Sequence, residues 1–163
     1  MKLLSTIKHY LFNAFRELFV YNHSSLEFRA KLFALILCAD ENIKTDDYSI
    51  IKKIGMKIYK NDDERANLLM LNTKELVQKV KEDNGLDIDT LVANIQKELK
   101  IVPRYAKKID IESLKELLLL SHDRDAISYQ ENMIEFLQTL RDETLHEKKS
   151  QIEKDEEKIE SKY

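Results

Sequence analysis

The side chains best suited to chemistry are oxygen ligands in two acidic loops, one in each half of the chain. Hard divalent cations prefer carboxylate and amide oxygens. The spacing excludes a standard EF-hand, because counting from Asp40 puts Thr45 at the required glycine and Ile51 at the required bidentate acid. The second acidic loop does not have the EF-hand spacing either. The two loops are therefore predicted to converge on one Ca²⁺ or Mg²⁺ ion in a weak site. Its predicted ligands are Asp40, Asn42, Asp46, Asp47, Asp123, Asp125 and Glu131.

The same acidic residues also have a purely structural interpretation. Asp40 and Asp123 would then close helix ends, and the remaining acids would lie at helix starts, where the positive end of the helix dipole favours negative charge. Both interpretations stay open at the level of sequence.

An enzyme is not predicted, because no arrangement of residues typical of catalysis is present. The histidines are scattered without metal-ligand spacing, at positions 9, 23, 122 and 146. Cys38 follows an aliphatic run, which predicts a buried thiol with a raised pKa instead of a nucleophile. His122 beside Asp123 could form an acid–base pair, but a histidine at a helix terminus is the commoner arrangement. Two glycines cannot build a phosphate-binding loop.

The elements that position these residues are predicted to be helices only. The 163 residues include two glycines and one proline, whereas tight β-hairpins depend on residues that tolerate positive φ. Apolar residues recur at helical spacing almost throughout. The net charge of −3 gives no general basic field for nucleic acid, so no nucleic-acid partner is expected. One cysteine excludes an intramolecular disulfide and fits a reducing cytoplasm.

Periodicity and capping signals divide the chain into successive amphipathic segments. The run 32–39 is apolar on all sides and predicts a central core helix, and Gly55 is predicted to allow close approach of two helices. Breaks are predicted near Asn72 and at the Asn84-Gly85 stop. The predicted helices cover 3–21, 26–39, 46–60, 62–71, 73–83, 87–101, 103–121 with a kink near Asp110, and a last one capped by Ser128.

The two ends of the chain differ from the middle. Residues 1–31 carry five basic and two acidic side chains, a net charge of +3, and are rich in aromatics. Residues 3–21 therefore predict an amphipathic helix that either packs on the core or lies at a membrane surface. Residues 142–163 are highly charged, with Leu145, Ile152 and Ile159 seven apart, and predict a helical extension or a disordered tail. The predicted domains are thus 1–23, 24–141 and 142–163.

The loop Ala39-Asp40-Glu41-Asn42-Ile43, followed by Asp47, resembles the Ala-Asp-Gly-x-Ile run of the TerB-like family, named for bacterial tellurite-resistance proteins. Glu41 stands where that glycine usually lies. The run 122–127 with Glu131 is similar but carries one extra residue, and the resemblance spans about 25–141. It implies an all-helical bundle of about seven to eight helices, with two related halves sharing one core. Related domains occur beside J-domains in membrane-associated co-chaperones, although no His-Pro-Asp motif is present here.

Together these features predict a non-enzymatic interaction module of the bacterial stress-response or tellurite-resistance type. It would bind a protein partner in the cytoplasm, with weak divalent-cation binding by the acidic loops. The alternative is a peripheral membrane adaptor or co-chaperone-like module, held at the inner membrane by residues 3–21.

Overall fold

The computed structural model describes residues 24–42 and 48–161. Within these ranges every regular element is helical, which confirms the all-α bundle predicted from composition. The predicted helix 3–21, and with it the segment 1–23, lies outside the described residues. The α-helices are α1 (Ser24–Cys38), α2 (Tyr48–Ile58), α3 (Asp63–Lys81), α4 (Ile88–Ile101), α5 (Ile111–Glu116) and α6 (Arg124–Glu160). Two 3₁₀ helices, η1 (Pro103–Lys108) and η2 (Leu117–Leu120), flank α5.

Helix α1 forms the centre of the bundle, as its uniformly apolar sequence predicted. Nine apolar side chains between Leu26 and Leu37 are no more than 3% exposed. The helix contacts α3 and α4 as well as η1, α5 and α6, and this explains why it carries no polar face over its second half. Leu114 and Leu117 belong to the same apolar core. The stretches that precede the two acidic loops therefore share one interior, as predicted.

Helices α2 and α3 pack closely because Gly55 has no side chain. A Cβ built on Gly55 would lie 2.9 Å from Ala66 Cα and 3.1 Å from Ala66 Cβ. The chain reverses between the helices at Lys60 and Asn61, both with positive φ. The predicted close approach at Gly55 is confirmed.

The predicted break near Asn72 is wrong, because α3 is one continuous helix. Its buried face continues through the proposed break as Ala66, Leu69, Thr73 and Val77, at spacings of three and four. The Thr73 hydroxyl donates to the Leu69 carbonyl at 2.7 Å, so its polar group is satisfied inside the core. The intrinsic helix penalty of asparagine is only a few tenths of a kcal/mol, about the scale that burial overrides.

The segment 103–121 is not one helix but three short ones. Ile109 and Asp110 have extended backbone dihedrals and separate η1 from α5. Tyr105, Ala106 and Ile109 are buried, so η1 turns its apolar side chains toward α1 and α6 before the chain breaks. The break lies where a kink was predicted, but it interrupts the helix completely.

The last helix, α6, begins earlier than predicted and runs much further. Asp123 is its N-cap, since the Asp123 carboxylate accepts from the Asp125 backbone N–H at 3.0 Å, so the predicted start at Ser128 is wrong. Ala126 and Gln130 are buried and pack the start of α6 against the rest of the bundle. The 37 residues span about 55 Å, and the side chains from 151 to 160 are all exposed. For residues 142–163 a helical extension or a disordered tail was predicted. The structure shows the helical extension, which ends at Glu160.

No helix among the described residues is both long and apolar enough to cross a membrane.

Gly55→Ala should destabilise the protein by about 1–3 kcal/mol, because the added methyl group overpacks the α2–α3 contact. On an exposed helix surface the same substitution would instead stabilise by about 0.5–1 kcal/mol. Urea unfolding followed by circular dichroism measures the difference. Lys53→Ala, at an exposed position of the same helix, serves as control and should leave stability nearly unchanged. A Gly55→Ala variant more stable than the parent would contradict the packing described here.

Candidate functional site at the junction of the two loops

The first acidic loop is built on the C-terminus of α1. The Asp40 backbone N–H donates to the Leu37 carbonyl at 3.0 Å and closes the helix. The Asp40 side chain is 7% exposed. One of its carboxylate oxygens, Oδ1, accepts from the Asn42 backbone N–H at 2.9 Å and holds the turn of its own loop. Asp40 therefore closes the helix end, which the structural interpretation had predicted.

The other oxygen of Asp40 joins the two loops. Its Oδ2 accepts a hydrogen bond from the hydroxyl of Ser121, the buried residue that follows η2. This contact links residues 81 positions apart. The two loop regions therefore touch through Ser121, a serine that the sequence did not single out, and not through the acidic side chains of the second loop, which are exposed.

A second hydrogen bond crosses the same junction. The Gln130 side-chain amide donates from Nε2 to the Ile36 carbonyl at 3.0 Å. Gln130 is 1% exposed, so the bond lies inside the core. Ile36 is in the last turn of α1, and its carbonyl also accepts a longer bond of 3.3 Å from the Ala39 backbone N–H. Gln130 thus caps α1 from α6, and its Oε1 has no hydrogen-bond partner among the described residues.

The other predicted metal ligands are arranged differently. Asn42, Asp123, Asp125 and Glu131 are exposed, and Asp123 is occupied as the N-cap of α6. Among the described residues no three His, Cys, Asp or Glu side chains form a group that could hold a metal ion. The predicted ligands at positions 46 and 47 lie outside the described residues. Binding of Ca²⁺ or Mg²⁺ stays a prediction, and both Asp40 oxygens already accept a hydrogen bond from the protein.

Cys38 has the properties that its aliphatic surroundings predicted. Burial raises the pKa of the thiol to about 11, and the positive charge of Lys81 opposes this only in part. At neutral pH the sulfur is therefore protonated and a poor nucleophile. The prediction of a raised pKa is confirmed, although the residue keeps some exposure to solvent.

A groove that the sequence did not reveal lies between α4 and α6. It encloses about 600 Å³. Its apolar lining comes from Leu99 at the end of α4, Pro103 at the start of η1, and Leu140 and Ile152 of α6. Charges of both signs surround this lining, namely Lys100, Lys148, Glu143 and Glu147. The seven-residue spacing of Leu145, Ile152 and Ile159 was the one signal in the sequence that pointed to this side of α6.

Ser121→Ala should destabilise the fold by about 1.5–3 kcal/mol, since it leaves a buried oxygen of Asp40 without its donor. Thermal or urea unfolding measures the loss. Ser128→Ala is the matched control, because Ser128 is exposed within α6 and does not cap it. Equal effects of the two substitutions would show that the link between Asp40 and Ser121 contributes little.

The cation prediction is tested by titrating the full-length protein with CaCl₂ or MgCl₂ and following the amide signals by NMR. Binding at the predicted site should shift residues of both loops along one saturation curve. Asp123→Asn and Asp125→Asn together should weaken that binding by about tenfold, because charged ligands dominate such sites. Asp142→Asn and Glu143→Gln remove the same charge elsewhere on α6 and should have no effect. Shifts in neither loop would reject the cation site.

Comparison with protein-family models, with curated proteins and with solved structures finds no match to this chain.

Proposed function

We propose that this protein is a non-enzymatic helical interaction module that binds a protein partner in the groove between α4 and α6. The observation that supports this proposal is the lining of the groove. The groove is a depression with an apolar lining and a charged rim, a combination suited to the apolar face of an amphipathic helix. Ile152 is 49% exposed there, although it is a large aliphatic residue. Its burial by a partner would be favourable by about 1.5–3 kcal/mol.

The proposed occupant is one amphipathic helix of a partner protein. The apolar residues Ile152 and Ile159 are seven apart on α6, the spacing at which a packed helix inserts its side chains. Alone they give one apolar residue per heptad, which is too few for a stable two-helix coiled coil. At the groove, Pro103 of η1 and Leu140 of α6 widen this stripe with half-buried apolar surface, whereas Leu99 of α4 is itself only 2% exposed. A partner helix seated there would contact α4 and α6 together.

The charged rim gives the proposed interaction its orientation. Lys100 and Lys148 supply positive charge, and Glu143 and Glu147 supply negative charge. A partner helix with acidic residues facing the lysines and basic residues facing the glutamates would be favoured over the reverse orientation. Such exposed charges set specificity and association rate more than affinity.

A binding role without catalysis is supported by the chemistry at hand. The groove is lined by neither histidine nor cysteine, and its Thr144 hydroxyl already donates to the Leu140 carbonyl at 2.7 Å. Cys38 is held as a neutral thiol. The TerB-like resemblance adds the proposed setting, a bacterial cytoplasm under stress such as exposure to tellurite.

A photo-crosslinking amino acid at position 151, on the groove, should capture the partner in cells that naturally express the protein. Mass spectrometry of the products should map the crosslinks to one amphipathic helix, with apolar residues at spacings of three and four. Ile152→Glu should weaken binding of that helix at least about tenfold, because it puts a charge against an apolar surface.

Ile101→Glu is the matched control, since Ile101 is also a highly exposed isoleucine but does not line the groove. Crosslinks that join only copies of this chain would replace the proposal with self-association. Crosslinks that Ile152→Glu leaves unchanged would reject the groove as the binding site.

A further inference from the structure

Two arginines lie against the ring of Tyr59, at the turn that follows α2, and η1, which packs on α1, adds two more basic side chains. Arg29 comes from α1, and Arg65 comes from the first turn of α3. Arg104 and Lys108 come from η1, which packs beside α1 through the contact between the Phe28 and Tyr105 rings at 5.2 Å. We call these residues the basic cluster: Arg29, Arg65, Arg104 and Lys108.

Tyr59 holds two of these groups in place. The guanidinium carbon of Arg29 lies 5.3 Å from the centre of the Tyr59 ring, and that of Arg65 lies 5.9 Å from it. An aromatic face at this distance attracts a cation and restricts the orientation of its planar group. The two arginines are therefore partly ordered in the absence of any ligand.

The cluster contains more positive charge than the acidic side chains of the described residues neutralise. Arg65 has one carboxylate neighbour, because its Nε lies 3.5 Å from an oxygen of Asp62. Within the described part of the chain, no carboxylate lies within 4.0 Å of a side-chain nitrogen of Arg29, Arg104 or Lys108. Glu27 is nearest in sequence, but side chains two apart on a helix do not face each other.

The unpaired charge has an electrostatic consequence inside the cluster. The pKa of Lys108 is lowered by its partial burial and by the positive charges of Arg29 and Arg104. Lys108 thus lies near enough to both arginines to be repelled by each, and the Arg104 guanidinium itself lies 5.8 Å from the centre of the Tyr105 ring. In addition, Arg29 Nε and Tyr59 Oη are sealed from solvent and have no hydrogen-bond partner among the described residues. Unpaired buried donors and mutual repulsion both cost stability, and an anion would relieve both.

We propose that the basic cluster binds an oxyanion of the phosphate class, with Arg29, Arg104 and Lys108 as its donors. A phosphate group carries up to two charges and three strongly accepting oxygens, so it can bond to donors from several directions at once. A carboxylate has two oxygens and one charge, which match fewer of the donors present. Arg29 supplies a planar fork that Tyr59 orients, and Lys108 supplies a point charge. The phosphate belongs either to a small soluble molecule or to a lipid headgroup.

The test is a titration of the full-length protein with sodium pyrophosphate, followed by ¹⁵N NMR of the arginine Nε–H and backbone amide signals. NaCl keeps the ionic strength constant, so that general screening does not change. The expected result is a saturable shift confined to Arg29, Arg65 and η1. Shifts that NaCl alone reproduces, or shifts spread evenly over the surface, would overturn the proposal.

Substitutions then assign the donors. Lys108→Gln and Arg104→Gln should each weaken pyrophosphate binding by about tenfold, the loss typical of one charged hydrogen bond. Arg29→Lys keeps the charge but removes the planar fork, and it should also weaken binding. Lys154→Gln is the matched control, because it makes the same charge change on the exposed end of α6. It lies about 20 Å along that helix from Arg141, whose guanidinium contacts the Ile109 carbonyl, and so beyond the screening length of about 8–10 Å. Equal weakening by Lys154→Gln would overturn the proposal.

Vesicle co-sedimentation distinguishes the two sources of phosphate. Phosphatidylcholine vesicles with and without phosphatidylinositol phosphate are mixed with the parent protein and with Lys108→Gln. Binding that needs the phosphorylated lipid and is lost in Lys108→Gln identifies a headgroup site. Pyrophosphate binding without vesicle binding identifies a soluble ligand, and binding of neither overturns the proposal.

Discussion

The burial of α1 on nearly every side is the constraint that orders the rest of the structure. A helix without a polar face must be covered by several neighbours, and here five other elements cover it. Its C-terminal carbonyls then end inside the protein, where water cannot satisfy them. One of them, the Ile36 carbonyl, accepts a hydrogen bond from the side chain of Gln130, which belongs to the C-terminal half of the chain. Asp40 fixes the loop that follows, and its carboxylate accepts a hydrogen bond from Ser121, also in the C-terminal half of the chain.

This arrangement explains why carboxylates at a loop junction need not signal a metal. Asp40 has both oxygens engaged by protein donors, and Asp123 accepts from the Asp125 backbone N–H at the start of α6. Acidic residues at helix ends are common because they satisfy exposed backbone donors and favour the helix dipole. Chemistry on this molecule is better sought where charge is left unpaired, as around Tyr59, or where apolar surface is left open, as between α4 and α6.

Composition and periodicity were enough to predict the all-helical class, the central position of α1 and the close packing at Gly55. Each of these rests on local sequence: few turn residues, an unbroken apolar run, and one glycine on an apolar face. The errors came where tertiary contacts outweigh local preference. Asn72 is tolerated within α3 because Leu69 and Thr73 continue the buried face. Asp123 replaces Ser128 as N-cap because Ala126 and Gln130 must point inward. The groove and the basic cluster depend on side chains brought together from distant parts of the chain, and the spacing of Leu145, Ile152 and Ile159 pointed to only one side of the groove.

The length of α6 has a mechanical consequence. Beyond Leu145, the last of its residues packed against the core, the helix continues for about 22 Å to Glu160. A straight helix of that length acts as a lever: a tilt of about 10° at its root displaces its tip by about 4 Å. The root is the same helix whose first turns hold Gln130 against α1. A force applied to the end of α6 is therefore transmitted along one continuous helix to the contact between Gln130 and α1.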